Sequence, residues 1–188
     1  MPDGSKPSDI RTRTYEYSVK TFDIAAAREL TGLEYMRSLL SGDIGAKPSI
    51  SDTMNMSVPV HLDFGEAAFL ADPADFLLNP LGTVHGGFAA TLLDSALGCA
   101  IHTALPKATG YTTAELSVNY TRAIRPDSGR LRAEGKVIHV GRQMATAEAR
   151  LIGEEDGKLY VDNLNFGGPS EQLGIDFDWE LAELEVAA

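Results

Sequence analysis

The sequence predicts an α+β protein in which an antiparallel sheet wraps one long buried helix. Three observations carry that expectation. Within residues 79–104, Phe88, Leu92, Ala96 and Ala100 recur at helical spacing with Ala89, Leu93, Leu97 and Ile101 beside them. A helix apolar over most of its circumference belongs inside a protein. Downstream, residues 112–121, 131–140, 144–152 and 159–166 alternate apolar and polar side chains, as half-buried strands do. Gly141-Arg142 and Asp156-Gly157 fall between successive runs as turn and hairpin signals, so the strands are expected to follow one another as a meander.

The elements before the helix are shorter. Residues 1–20 are polar, with Gly, Ser, Pro and scattered charges, and read as a flexible N-terminal arm. Residues 21–50 form a helical segment and connector. In residues 23–40, Ile24, Leu30, Leu33, Met36 and Leu40 keep helical spacing, with Asp23 as a cap and Gly42 as a stop. Gly32 interrupts that run, so either one helix or two short ones fit. Residues 46–51 are a Pro-containing connector, and 53–60 and 66–71 read as two short strands joined near Asp63-Phe64-Gly65. After residue 168 the chain becomes an acidic tail, with six carboxylates and no base beyond Ser170.

Composition narrows the function. With 44% hydrophobic and 23% charged residues over 188 positions, the chain suits one soluble globular domain. No apolar run reaches the ~18 to 20 residues needed to span a bilayer. The N-terminus lacks a signal core, so a cytoplasmic location is expected. A net charge of −11 argues against nucleic acid and anionic membranes as partners. The single cysteine, Cys99, excludes an internal disulfide and fits a reducing compartment. Arg122, Arg125, Arg130, Arg132, Lys136 and Arg142 cluster against only Asp127 and Glu134, which reads as a solvated basic strand surface.

Several chemistries have no anchor in the sequence. There is no G-x-S-x-G nucleophile elbow, dinucleotide fingerprint or P-loop, and the four histidines show no paired metal-ligand spacing. Cys99 on the apolar helix reads as an inert buried thiol. Two features remain. The Gly86 and Gly87 amides stand among the orphan donors at the helix start, where they can hold a developing oxyanion or simply make the turn. Asp94 is a carboxylate within the apolar helix with no Lys or Arg within a turn. Gly86 and Asp94 are eight residues apart, about 12 Å along one helix, so one carbonyl cannot touch both in a single chain. Antiparallel helices related by a twofold axis would bring the start of one beside the Asp of the other.

The order and spacing of Asn79-Pro80-Leu81-Gly82, His85-Gly86-Gly87, Leu93-Asp94, Thr113/Leu116/Asn119-Tyr120 and His139-Val140-Gly141-Arg142 resembles the PaaI-type thioesterases of the hotdog-fold superfamily, over about residues 32–166. The resemblance implies a hotdog domain over residues 51–168, with about five to six antiparallel strands around the central helix and an N-terminal helical extension. It implies hydrolysis of an acyl-CoA thioester to a free acid and CoA, with no metal or bound cofactor. The sites would be shared in a homodimer, and a dimer of dimers is the further option. Asn79 would hold the thioester or the attacking water, and His85 would position the neighbouring glycine. Gly86 N–H would bind the carbonyl oxygen, and Asp94 would act as nucleophile or general base. Thr113, with Thr112 beside it, would orient water near that acid. Gly87, Thr112, Arg122, His139, Gly141 and Arg142 are expected to line the substrate, Arg142 at the coenzyme A position. A hotdog acyl-CoA hydratase and a non-catalytic acyl-CoA-binding protein are the alternatives.

Overall fold

The structure, a computed structural model, describes residues 10–19, 23–45 and 47–169. The acidic tail lies outside them. Helices α1 (Ile24–Arg28), α2 (Gly32–Ser41) and α3 (Ser49–Thr53) precede strands β1 (His61–Asp63) and β2 (Glu66–Ala71). The long helix α4 (Gly86–Thr103) follows a 3₁₀ turn at Asp75–Leu77. Strands β3 (Tyr111–Tyr120), β4 (Leu131–Val140), β5 (Ala145–Gly153) and β6 (Leu159–Pro169) complete the described residues. All strand pairs are antiparallel, in the order β1-β2-β4-β5-β6-β3.

Two short helices, not one, occupy the N-terminal segment. Asp23 accepts from the Ala26 N–H and caps α1. Thr31 and Glu34 form a reciprocal capping box at the start of α2. Gly42 ends α2 in the left-handed conformation at φ 82°. The expected strand at 53–60 is corrected: 49–53 is helical, and the chain then runs beside β2 without a regular ladder until His61. Pro48 favours the helix start, and Pro59 cannot donate to a ladder. Only isolated bonds mark this approach, Ser57 N–H to the Leu70 carbonyl and Val60 N–H to that of Ala68.

The expected meander is corrected in one place. β3 pairs with β6 at one edge, and β4 inserts between β2 and β5. The 121–130 connection carries the chain across, and Ile124 is buried on the way, its carbonyl accepting from the Val84 N–H.

The core lies between α4 and the sheet. Phe88, Leu92, Leu93, Leu97 and Ile101 of α4 are almost fully buried. Opposite them the inward positions are mostly small: Ala133, Ala145, Ala147 and Ala149, with Leu131 and Leu151 at one end. Small residues let the helix approach closely, and Gly135 marks the tightest point. A Cβ there would stand 2.3 Å from the Ala96 carbonyl oxygen. The outward face of the same strands is ion-paired. Glu134 receives both Arg132 and Arg150, and Lys136 meets Glu66, while Arg130 grips Asp72 from the end of β4. Within the basic stretch expected at 122–142, Arg130 and Lys136 are thus paired by Asp72 and Glu66 from outside it, and Arg132 by Glu134 of its own strand.

The N-terminal stretch is anchored where a flexible arm was expected. Arg13 donates to the Asp52 and Thr53 carbonyls at the end of α3, at 2.5 and 2.9 Å. Its guanidinium also lies 3.9 Å from the Phe76 ring centroid. Among the described residues, no helix is long and apolar enough to cross a membrane.

Candidate active site

Helix α4 runs antiparallel to β3, and two side-chain contacts fix the alignment. Near the helix start the Tyr120 hydroxyl donates to the Gly86 carbonyl at 2.9 Å. Two turns further on, the Thr113 hydroxyl donates to Asp94 Oδ1, also at 2.9 Å. Gly86 and Asp94 thus meet different ends of β3, and the separation of about 12 Å expected from helix geometry stands within one chain.

The Asp94 end is built by a strand irregularity. The β3–β6 register shifts between Thr113 and Glu115, and such bulges commonly re-aim side chains beside sites. Of the two adjacent threonines, Thr113 makes the carboxylate contact. The β4–β5 turn lies at this same end of the sheet, because Ala145 pairs with Gly167 and Gly167 with Thr113. Arg142 and His139 are exposed on that turn, and Gly141 closes it by donating to the Met144 carbonyl. Two strand spacings, about 10 Å, separate β5 from β3.

The Gly86 end is a conventional helix start with one specific feature. His85 is the N-cap, and its Nδ1 accepts the Gly87 N–H at 2.9 Å. The Gly87 donor is thereby used, whereas the Gly86 N–H donates to no group among the described residues. Added bulk is disfavoured here, since a Gly86 Cβ would fall 3.0 Å from the Tyr120 hydroxyl. Asn79 organises the loop before the helix. Its Oδ1 accepts from Leu81 and Thr83 amides, and its Nδ2 donates to the Thr83 hydroxyl. Arg122 belongs to this end, where it donates to the Leu159 carbonyl and lies 5.9 Å from the Tyr160 ring centroid.

A cavity of about 420 Å³ opens beside Asp94, between α4 and the α2–α3 segment. His102 borders it, stacked on Tyr35 at 4.8 Å and edge-on to Tyr111 at 5.6 Å. Burial pulls the His102 imidazole down to about 4, so it is neutral near pH 7. Burial, and then the neighbouring Asp94 charge, push the Cys99 thiol up to about 12, which makes it a poor nucleophile. Among the described residues no cluster of three or more His, Cys, Asp or Glu is placed to hold a metal.

The sequence reading missed Tyr120 as a site residue and missed the cavity altogether. Tyr120 carried a signal, an aromatic on the apolar side of an alternating strand, but nothing local connects it to Gly86. The cavity residues come from five separate elements and the loops between them, and share no motif.

A central helix wrapped by a six-stranded antiparallel sheet of this order is a hotdog fold. The sequence profile of the thioesterase superfamily matches residues 81–160, which span α4 and all of β3 to β5. A Halobacterium salinarum protein bearing an esterase name is 43% identical over 77 residues, covering 40% of this chain. That match spans about half, 49%, of the relative's length. Among solved structures, conserved protein PA5202 of Pseudomonas aeruginosa is 28% identical with a TM-score of 0.60, covering 65% of this chain and 94% of that one. A variant of the phenylacetic acid degradation protein PaaI from Thermus thermophilus is 25% identical at a TM-score of 0.58, covering 64% and 98%. PaaI of E. coli, at 16% identity and a TM-score of 0.59, covers 65% and 84% and shares the fold. The fold and the matched segment are thus similar to those of PaaI-related hotdog proteins and of the thioesterase superfamily.

Proposed function

We propose that this protein is a thioester hydrolase acting on acyl-CoA, with each active site shared between two copies of the chain. The carrying observation is the Asp94 carboxylate, oriented by the Thr113 hydroxyl at 2.9 Å on the rim of an apolar cavity. A carboxylate held this way can attack the thioester carbon, or take a proton from a water that does so. Either route builds negative charge on the carbonyl oxygen. The uncommitted Gly86 N–H at the start of α4, aided by the helix dipole, is the matching donor. Collapse of the intermediate expels the CoA thiolate; in the water route Asp94 passes its proton to that thiolate, and in the direct route water then opens the acyl–Asp94 anhydride to release the free acid.

The donor must come from a second subunit, because Gly86 and Asp94 of one chain are about 12 Å apart. Among the described residues β3 is the last strand at its edge of the sheet, so its outer hydrogen-bonding side can face that second copy. In such a dimer, Arg142 from the Asp94 end and Arg122 from the partner's Gly86 end converge on the same site. Both could then meet the anionic CoA moiety.

Asp94→Asn tests the assignment, since it keeps the volume and the Thr113 contact while removing the charge. Release of free CoA thiol from a panel of acyl-CoAs should fall roughly a hundredfold or more, with the native mass unchanged. That mass also separates a dimer from a dimer of dimers. A variant hydrolysing at near the parent rate would remove Asp94 from the mechanism.

A further inference from the structure

We infer that α2 and α3 form the wall of an acyl pocket opening at Asp94, and that the preferred substrates carry an apolar acyl group of several carbons. This rests on the thioesterase reading and names its substrate class. Along most of its length α4 presents Leu, Ile and Phe that fill the space against the sheet. Towards α2 it presents Asp94, Ser95 and Cys99, which are too small to close the gap, and the cavity of about 420 Å³ remains. That volume lies within the ~300 to 1,000 Å³ usual for small-molecule sites. Met36, Leu39 and Leu40 of α2 face it at helical spacing, joined by Ile50 of α3, Val58 and Phe69. An acyl chain entering beside Asp94 would therefore meet hydrocarbon on most sides while its carbonyl stayed at the carboxylate.

The wall belongs to a part of the chain outside the matched residues 81–160. It is also held in place. The C-terminal carbonyls of α3 receive the Arg13 guanidinium, and Lys47 pairs with Asp52 at 2.6 Å. The N-terminal stretch thus braces the helix that carries Ile50. Since each buried methylene strengthens binding by roughly fourfold, a several-carbon chain should be favoured over acetyl by at least about tenfold in kcat/KM.

Leu40→Trp and Val58→Trp, made separately, place an indole in the cavity from one exposed and one half-buried position. Acetyl-CoA and octanoyl-CoA are compared as substrates, and octanoate binding is followed by calorimetry as a readout independent of turnover. The parent should prefer octanoyl-CoA and bind octanoate. Each Trp variant should lose about tenfold on octanoyl-CoA and weaken octanoate binding, with acetyl-CoA little changed. Leu39→Ala, which enlarges the cavity, should shift the preference to longer chains. Hydrolysis with no chain-length preference, unaltered by these variants, overturns the pocket and leaves the thioesterase reading standing. Octanoate binding that the Trp variants abolish, without turnover of any acyl-CoA, upholds the pocket and defeats the hydrolase reading. If the parent neither binds octanoate nor prefers octanoyl-CoA, the pocket assignment is wrong.

Discussion

Complementation between two inactive variants puts the shared site to its most direct test. Asp94→Asn removes the carboxylate. Gly86→Val blocks approach to the oxyanion donor, because a Cβ at Gly86 already stands 3.0 Å from the Tyr120 hydroxyl. Tyr120 is 55% exposed and can swing outward, so the second variant should still fold. Each homodimer carries one defect in every site and should be inactive. In a heterodimer, the site formed by Asp94 of one chain and Gly86 of the other is doubly defective on one side and intact on the other. Random pairing after joint unfolding and refolding makes about half the dimers mixed. One site in two is intact in those, so about a quarter of the parent activity should return. The assay is CoA thiol release, with mixed dimers verified by differential tagging and mass. If Asp94 and Gly86 of the same chain worked together, every site in the mixture would retain a defect. Verified heterodimers without recovered activity would refute the trans arrangement, and with it the mechanism.

Two further predictions concern the scaffold that holds the site. The folded protein binds a proton at His102 only near pH 4, whereas the unfolded chain binds it near the ordinary value of 6.5. The stability contributed by neutral His102 is therefore complete above about pH 6.5 and is lost as pH falls toward 4, by about 3 kcal/mol. Urea midpoints across that window should show His102→Phe flattening the pH slope, and an unchanged slope would remove His102 as its source. Gly135→Ala forces a methyl to 2.3 Å from the Ala96 carbonyl, so α4 must back away from β4. A loss of about 1 to 3 kcal/mol or more is expected in equilibrium unfolding, and a neutral result would contradict the close helix–sheet contact.

What the sequence determined by itself was the local order of the chain. An 18-residue helix at 86–103 follows from apolar residues all round it, since such a helix has no polar face to turn to water. Strands β4, β5 and β6 fall within a residue or so of where alternation begins, because that period belongs to the strand's own backbone. The separation of Gly86 from Asp94 is likewise a property of one helix.

The tertiary structure decided everything that depends on residues far apart in the chain. It sent β3 to the edge beside β6, a choice that strand alternation leaves open because β4 could accept either neighbour. Carboxylates from outside the basic stretch, Asp72 and Glu66, came to pair Arg130 and Lys136. A bulge, invisible in residue pattern, chose Thr113 over Thr112 as the partner of Asp94. The cavity came from what α4 lacks on one side: Asp94, Ser95 and Cys99 are ordinary helix residues until α2 stands opposite them and fails to reach. A void is set by the distance between surfaces, and no single segment encodes it.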